Sequence, residues 1–180
     1  RFELGESVTR VHATLAVRRA EGTPAAALLV LDGEALALLE LSIDGRRLGP
    51  DDYALTPTTL TIPAVGDAFE LRSLVEIRPQ DNTELSGLYR SSGNFCTQCE
   101  AEGFRRITYF LDRPDVMARY SVTLEAERAR YPVLLANGNR VAAGDLGDPA
   151  DPAGARHFAR WDDPFPKPSY LFALVAGDLR

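Results

Sequence analysis

The sequence lacks the features of a membrane-spanning, disulfide-stabilised or nucleic-acid-binding protein. No apolar run approaches the roughly 18 residues that a membrane-spanning helix needs, and nothing resembles a signal peptide. The 2 cysteines cannot build a disulfide framework. With 20 Lys and Arg against 26 Asp and Glu, the net charge is −6, which disfavours nucleic acid as a partner. These absences predict a cytoplasmic protein that binds neither membrane nor nucleic acid.

Short catalytic and metal-binding motifs are also missing. The sequence contains no H-E-x-x-H, G-x-S-x-G, Walker loop or G-x-G-x-x-G, and its histidines, His12 and His157, stand near opposite ends of the chain. Cys96 and Cys99 have the spacing of a redox motif or half a zinc site. A redox motif requires a strand and a helix around it, and a structural zinc site requires four ligands. We therefore expect two buried or half-buried thiols.

What the sequence does contain is alternation of apolar and polar residues with a period of two, which is typical of half-buried strands. The 180 residues are 45% apolar and 26% charged, which is the composition of a globular protein with a core of its own. Asp-Gly pairs at 32–33 and 44–45 and Asn-Gly at 137–138 mark turns between strands. About ten short strands are expected, at 11–17, 28–31, 38–43, 60–62, 69–77, 120–126, 133–136, 141–143, 155–161 and 170–176. They predict an all-β, sandwich-like fold of mostly antiparallel strands.

Four segments outside this pattern carry separate expectations. Residues 101–110 are expected to hold one helical turn, and residues 144–154 a surface loop rich in Gly, Pro, Asp and Ala. The proline-rich stretch 161–168 is expected to be an extended, rigid connector. His157 and Trp161 share one face of a predicted strand, so we expect both to pack in the interior.

A family resemblance adds to this reading. The segment from Asn94 to Pro114 reads N-F-C-T-Q-C-E-A-E-G-F-R-R-I-T-Y-F-L-D-R-P and resembles a T-Q-x-[EQ] stretch of zinc-dependent aminopeptidases of the aminopeptidase N family. The segments Tyr131 to Arg140 and Asp163 to Asp178 are similar to its bacterial branch. The resemblance covers essentially the whole chain, strongly from Leu88 onward and weakly before Leu48.

The resemblance implies that residues 1–180 form a single, saddle-shaped N-terminal β domain. In the family this domain packs against a thermolysin-like catalytic domain of the same chain, which holds the zinc and carries G-A-M-E-N and H-E-x-x-H. Neither motif occurs here. We therefore expect this chain to be inactive alone and to bind no zinc, whereas the full-length protein removes N-terminal amino acids from peptides. The chain begins at Arg1 without an initiator Met and stops just after an apolar run, so we expect a piece of a longer protein.

The resemblance also implies a substrate contact. The acidic residue of the motif, here Glu100, binds the free α-amino group of the peptide, and Gln98 lines the same pocket. A carboxylate that holds the ammonium fixes its distance to the first carbonyl, which is what an exopeptidase must measure. An internal ion-pair network is expected to hold the loop, formed by Glu102, Arg105, Arg106 and Asp112.

Two alternatives stay open at this stage. The chain could be a stand-alone β-sandwich module that binds peptides without catalysis, or a scaffold whose strand edges recruit a partner.

Overall fold

The computed structural model describes residues 1–63, 65–147 and 155–179. The described residues form fifteen strands and three short 3₁₀ helices. The strands are β1 (Phe2–Glu3), β2 (Thr9–Arg18), β3 (Leu29–Asp32), β4 (Ala37–Ile43), β5 (Arg46–Arg47), β6 (Ala54–Leu55), β7 (Thr59–Ile62), β8 (Ala68–Ile77), β9 (Gly87–Ser91), β10 (Asn94–Gln98), β11 (Ala118–Glu127), β12 (Val133–Ala136), β13 (Asn139–Leu146), β14 (Arg156–Lys167) and β15 (Leu174–Gly177). The 3₁₀ helices are Pro79–Asp81, Phe104–Arg106 and Ser169–Leu171.

Three sheets contain these strands. An eight-stranded sheet has the order β13-β14-β11-β1-β2-β8-β4-β5, a four-stranded sheet the order β12-β15-β10-β9, and a three-stranded sheet the order β3-β7-β6. Every described strand pair is antiparallel except β1 with β11, which run parallel. The predicted all-β, mostly antiparallel fold is confirmed, and the helical turn expected within 101–110 is the 3₁₀ helix Phe104–Arg106.

The sequence pattern missed β9 and β10, which form a hairpin that carries Gln98. Their turn, Ser91-Ser92-Gly93-Asn94, is rich in loop-forming residues, and Ser92 and Gly93 both have positive φ angles. The flanking strands show little alternation because their apolar residues stand in adjacent pairs, Leu88 with Tyr89 and Phe95 with Cys96. A short strand of this kind has no strong periodic signal.

The stretch 161–168 is extended as far as Lys167, as expected, but the expectation of a connector was wrong, because these residues belong to β14. Its pairing with β11 shifts register between Ala118 and Tyr120, and this irregularity accommodates the prolines of the stretch. The expected loop at 144–154 begins later than predicted, since β13 extends to Leu146. Residues 148–154 of that loop lie outside the described residues.

The core lies between the three sheets and contains a cluster of aromatic rings. The ring of Phe104 lies 5.0 Å from the rings of Phe110 and Phe172 and 6.0 Å from that of Tyr120, between centroids. Pairs of this geometry contribute about 0.5–1.5 kcal/mol each beyond the burial of their area. The interior packing expected for His157 and Trp161 is also found: the Trp161 indole donates to the Leu134 carbonyl at 3.2 Å, and His157 is buried.

Truncation of Phe104 tests the importance of this cluster. We expect Phe104→Ala to lower the free energy of unfolding by about 3–5 kcal/mol, because it leaves a cavity among three other rings. Leu28, which is 55% exposed, provides the control, and Leu28→Ala is expected to change stability by less than about 0.5 kcal/mol. Urea unfolding followed by fluorescence measures both, and similar losses in the two variants would contradict the assignment.

Candidate functional site

Gln98 and Glu100 lie together at the end of β10, where the chain leaves the four-stranded sheet. Gln98 is the last residue of the strand and Glu100 stands in the following turn, and both are exposed. The Gln98 side-chain amide donates to the Glu100 backbone carbonyl at 3.2 Å. Within the described residues, the Glu100 carboxylate has no hydrogen bond or ion pair. The structure therefore brings the two residues together and leaves the carboxylate open to solvent.

Backbone packing fixes the turn that carries Glu100. The Gly103 amide donates to the Cys99 carbonyl at 2.8 Å. A Cβ atom at Gly103 would lie 2.4 Å from the Gln98 carbonyl oxygen and 2.8 Å from the Gly87 nitrogen, and one at Gly87 would lie 2.7 Å from the Arg106 Cβ. Gly87 also has a φ of +77°. These close approaches require glycine at both positions, and they hold the turn against the start of β9.

Asp112 holds the other end of the 99–112 loop. Its carboxylate accepts from the backbone amide of Arg105 and from the Arg105 Nε, both at 3.0 Å, and from the Ser169 hydroxyl. Its own backbone amide donates to the Asp32 carboxylate at 3.1 Å. The Asp112 side chain is only 1% exposed. The loop is therefore connected to β3 through Asp32 and to the 3₁₀ helix Ser169–Leu171 through one buried acidic residue.

The expected ion-pair network is present, with a different arrangement. Arg105 pairs with both Asp112, at 3.0 Å, and Glu102, at 3.4 Å. Arg106 instead pairs with Glu34, at 3.1 Å, and so connects the loop to the segment before β4. The sequence offered no signal for Glu34, Asp32 or Ser169, because each reaches the loop from a distant part of the chain.

The two cysteines are free, one half-buried and one buried. Burial, and secondarily the charge of Asp112, raise the pKa of the Cys99 thiol to about 12. Burial also raises the pKa of Cys96 above its ordinary value. Both side chains are therefore neutral thiols at physiological pH, which makes them poor nucleophiles.

No group of three or more His, Cys, Asp or Glu in the described part of the chain could hold a metal ion. Nε2 of His12 lies 2.8 Å from the Glu3 carboxylate. His157 donates from Nε2 to the Tyr131 carbonyl at 2.7 Å, and burial lowers its pKa. Each histidine is thus engaged away from the cysteines, and the described residues do not fit a zinc site.

A row of half-exposed side chains crosses the outer face of the four-stranded sheet beside Gln98. The pairings Leu135 with Val175, Val175 with Cys96, and Cys96 with Tyr89 place one residue of each strand in line. We call these four residues the sheet row. Gln98 lies two positions beyond Cys96 and shares its face. The opposite face of the sheet packs into the core through Leu134, Ala176, Phe95 and Leu88.

The described residues contain no helix that is long and apolar enough to cross a membrane. A groove of about 980 Å³ runs between β2 and β11, but its lining includes neither Gln98 nor Glu100. The exposed carboxylate therefore stands on a surface, and a neighbouring structure would be needed to enclose it.

Residues 56–171, which make up more than half of the chain, match the profile of the peptidase M1 N-terminal domain. The chain belongs to the peptidase M1 N-terminal domain family. It is 57% identical over 178 residues to an aminopeptidase N of Caulobacter vibrioides, which is 99% of this chain and 20% of that protein. It is 49% identical over 150 residues to the aminopeptidase N of Escherichia coli, which is 83% of this chain and 16% of that protein. The chain thus spans a fifth or less of these relatives.

Solved structures have a similar fold. The aminopeptidase A of Legionella pneumophila, determined with aspartic acid, superposes with a TM-score of 0.87 at 35% identity, over 99% of this chain and 20% of that one. An M1 zinc metallopeptidase of Deinococcus radiodurans superposes with a TM-score of 0.78 at 18% identity, over 99% of this chain and 41% of that one. The second likeness supports the fold alone.

Replacement of Asp112 tests whether it holds the loop. We expect Asp112→Asn to destabilise the chain by about 3–5 kcal/mol, because it leaves the half-buried Arg105 without its main counter-charge. Glu102→Gln is the matched control, because it removes the second carboxylate that pairs with Arg105. The Glu102 side chain is 68% exposed, so this change should cost less than about 1 kcal/mol of stability. Thermal unfolding of the two variants measures the difference, and equal shifts would refute the role given to Asp112.

Proposed function

We propose that residues 1–180 form a single amino-terminal domain of a zinc-dependent M1 aminopeptidase, in which Glu100 binds the α-ammonium group of the peptide substrate. The observation that carries the proposal is the free Glu100 carboxylate. Its loop neighbours Glu102 and Asp112 are both paired with Arg105. A carboxylate left unpaired on a loop that is held at both ends is available for a charged ligand.

The chemistry of an ammonium ligand suits this arrangement. Glu100 projects from a turn that close backbone contacts fix on one side and the buried Asp112 on the other. A fixed carboxylate can set the position of the substrate's first peptide bond as well as bind its terminus. A charge-assisted hydrogen bond of this kind contributes about 1.5–3 kcal/mol.

Gln98 is assigned a supporting role in the same subsite. Its amide contacts the Glu100 carbonyl at 3.2 Å and therefore helps to orient the turn. Its side-chain oxygen is left to accept from a ligand N–H, which an ammonium or a peptide amide supplies.

The catalytic centre belongs, in this proposal, to another domain of the same full-length polypeptide. That domain supplies the zinc and its ligands, since the described residues of this chain do not fit them. We propose that it packs on the sheet row, Leu135, Val175, Cys96 and Tyr89, because these apolar side chains lie half-exposed beside Gln98. Packing there would enclose Glu100 and exclude water from its contact with the ammonium.

Two further parts of the proposal concern location and the alternatives. Two unpaired cysteines are in keeping with a cytoplasmic, reducing compartment. We favour a covered domain over a stand-alone peptide-binding module or a scaffold, because the sheet row places four partly exposed apolar side chains side by side.

Substitution of Glu100 in the full-length enzyme tests the ammonium contact. We expect Glu100→Ala to lower kcat/KM for peptide substrates at least about tenfold, because a charge-assisted hydrogen bond is lost. Bound zinc and the thermal unfolding temperature should be unchanged, since the carboxylate supports neither.

Glu102→Ala is the control for that experiment, because Glu102 is an exposed carboxylate of the same loop. It should retain kcat/KM within about twofold, as expected for an exposed pair. An unchanged kcat/KM in Glu100→Ala, or an equal loss in both variants, would contradict the assignment of Glu100.

A charge placed in the sheet row tests the proposed interface. We expect Leu135→Arg to weaken the association of this chain with the separately expressed remainder of the polypeptide at least about tenfold, because an unpaired charge would be buried. Val30→Arg is the control, since Val30 in the three-stranded sheet is similarly exposed, 43% against 40% for Leu135. Isothermal titration measures both, and equal affinities would show that the remainder packs elsewhere.

A further inference from the structure

The shortest strand of the large sheet lies between two of its longest. β1 contains only Phe2 and Glu3, and it pairs with β2 on one side and β11 on the other. Beyond that pairing, β2 continues to Arg18 and β11 extends back to Ala118. The two strands are therefore separated, over about five residues each, by a gap one strand wide.

The edge of β2 that faces this gap has unused backbone groups. Arg1 and His12 exchange two backbone bonds, the Arg1 nitrogen donating at 2.8 Å and the His12 nitrogen at 2.9 Å. Because alternate residues of a strand bond to the same side, the N–H and C=O groups of Thr14 and Ala16 also point into the gap. No described residue pairs with them there, while β8 pairs with the other edge of β2 throughout.

The edge of β11 that faces the gap also has unused backbone groups. The Glu125 carbonyl accepts from the Leu4 amide on the β1 side at 2.8 Å, so the same alternation turns the backbone groups of Ser121 and the amide of Thr123 toward the gap. The opposite edge of β11 pairs with β14. Two facing, unpaired edges form a slot with hydrogen-bonding groups on both walls.

The slot is the groove of about 980 Å³, and it opens onto the core. The rings of Phe104, Phe110 and Phe172 lie at its base. The Thr108 and Tyr120 hydroxyls also line it, and both are buried without a hydrogen-bond partner among the described residues. Two facing strand edges without partners are unfavourable in a folded protein, and one inserted strand would pair both edges and pack its inward side chains over the buried rings.

We propose that the residues immediately preceding Arg1 in the full-length polypeptide continue β1 and fill this slot as its central strand. A segment joined to Arg1 already has the right direction, antiparallel to β2 and parallel to β11. It enters next to a residue that is already hydrogen-bonded, so it closes no new loop. A separate chain would have to bind the same edges at the entropic cost of association. The relatives, five times the length of this chain, are long enough to contain such a segment.

The register predicts the composition of this segment. Extending the observed pairs places the first residue before Arg1 between Ala13 and Val122. The third residue before Arg1 then lies between Leu15 and Tyr120. These neighbours face the interior, as their alternating burial shows. The first, third and fifth residues before Arg1 should therefore be apolar, and the second and fourth polar.

Hydrogen exchange on the intact full-length protein, read at single residues, tests the proposal. The amides of Thr14 and Ala16 face the slot, whereas those of Ala13 and Leu15 face β8 and serve as the internal control. We expect all four to be protected to a similar degree. Deletion of the residues before Arg1 should speed exchange of Thr14 and Ala16 at least about tenfold and leave the other two unchanged.

Three results would overturn the proposal. Fast exchange of Thr14 and Ala16 in the intact protein would mean that the slot is empty. Protection that survives the deletion would mean that another part of the polypeptide fills it, and protection that varies with protein concentration would indicate a second copy. If the deletion variant does not fold, the measurement on the intact protein and the composition of the preceding residues still decide.

Discussion

A carboxylate removed from water must find hydrogen-bond donors, and the site depends on how Asp112 meets this requirement. Leaving such a charge unpaired in an interior costs several kcal/mol. Its donors come from Arg105 in the same loop and from Ser169 near the end of the chain. The backbone beside it is held in turn by Asp32. One requirement therefore brings together three distant segments, and the turn that carries Glu100 is placed as a result.

Most of the fold could be predicted from period-two alternation, and the exceptions have physical causes. Strands such as β2 and β8 alternate cleanly because one face packs on the core and the other meets solvent. The hairpin of β9 and β10 was missed because its four apolar residues stand in two adjacent pairs and do not alternate with polar ones. In β14, prolines that normally end a strand are accommodated by a register shift against β11. That shift depends on the partner strand, so the local sequence could not reveal it.

Part of the candidate site could also be predicted from the sequence, and part could not. Gln98 and Glu100 were found only through a family resemblance, because an exposed acidic residue in a turn has no periodic or compositional signal. Pairing of Arg105 with Asp112 could be expected from their closeness in sequence. The contacts from Asp32, Glu34 and Ser169 could not, since they depend on which sheets meet at the loop. Tertiary contacts of this kind are not encoded in any local window.

The close approach of Gly87 and Gly103 separates two properties that many binding sites combine. The course of the backbone through residues 98–103 is set by contacts between main-chain atoms and by glycines, whereas the side chain at 100 supports nothing within the described structure. Stability along this stretch should therefore depend on the two glycines, which have no side chains, and should be insensitive to which side chain stands at position 100. A protein engineer could therefore present other functional groups at position 100 without changing the course of the turn that carries them.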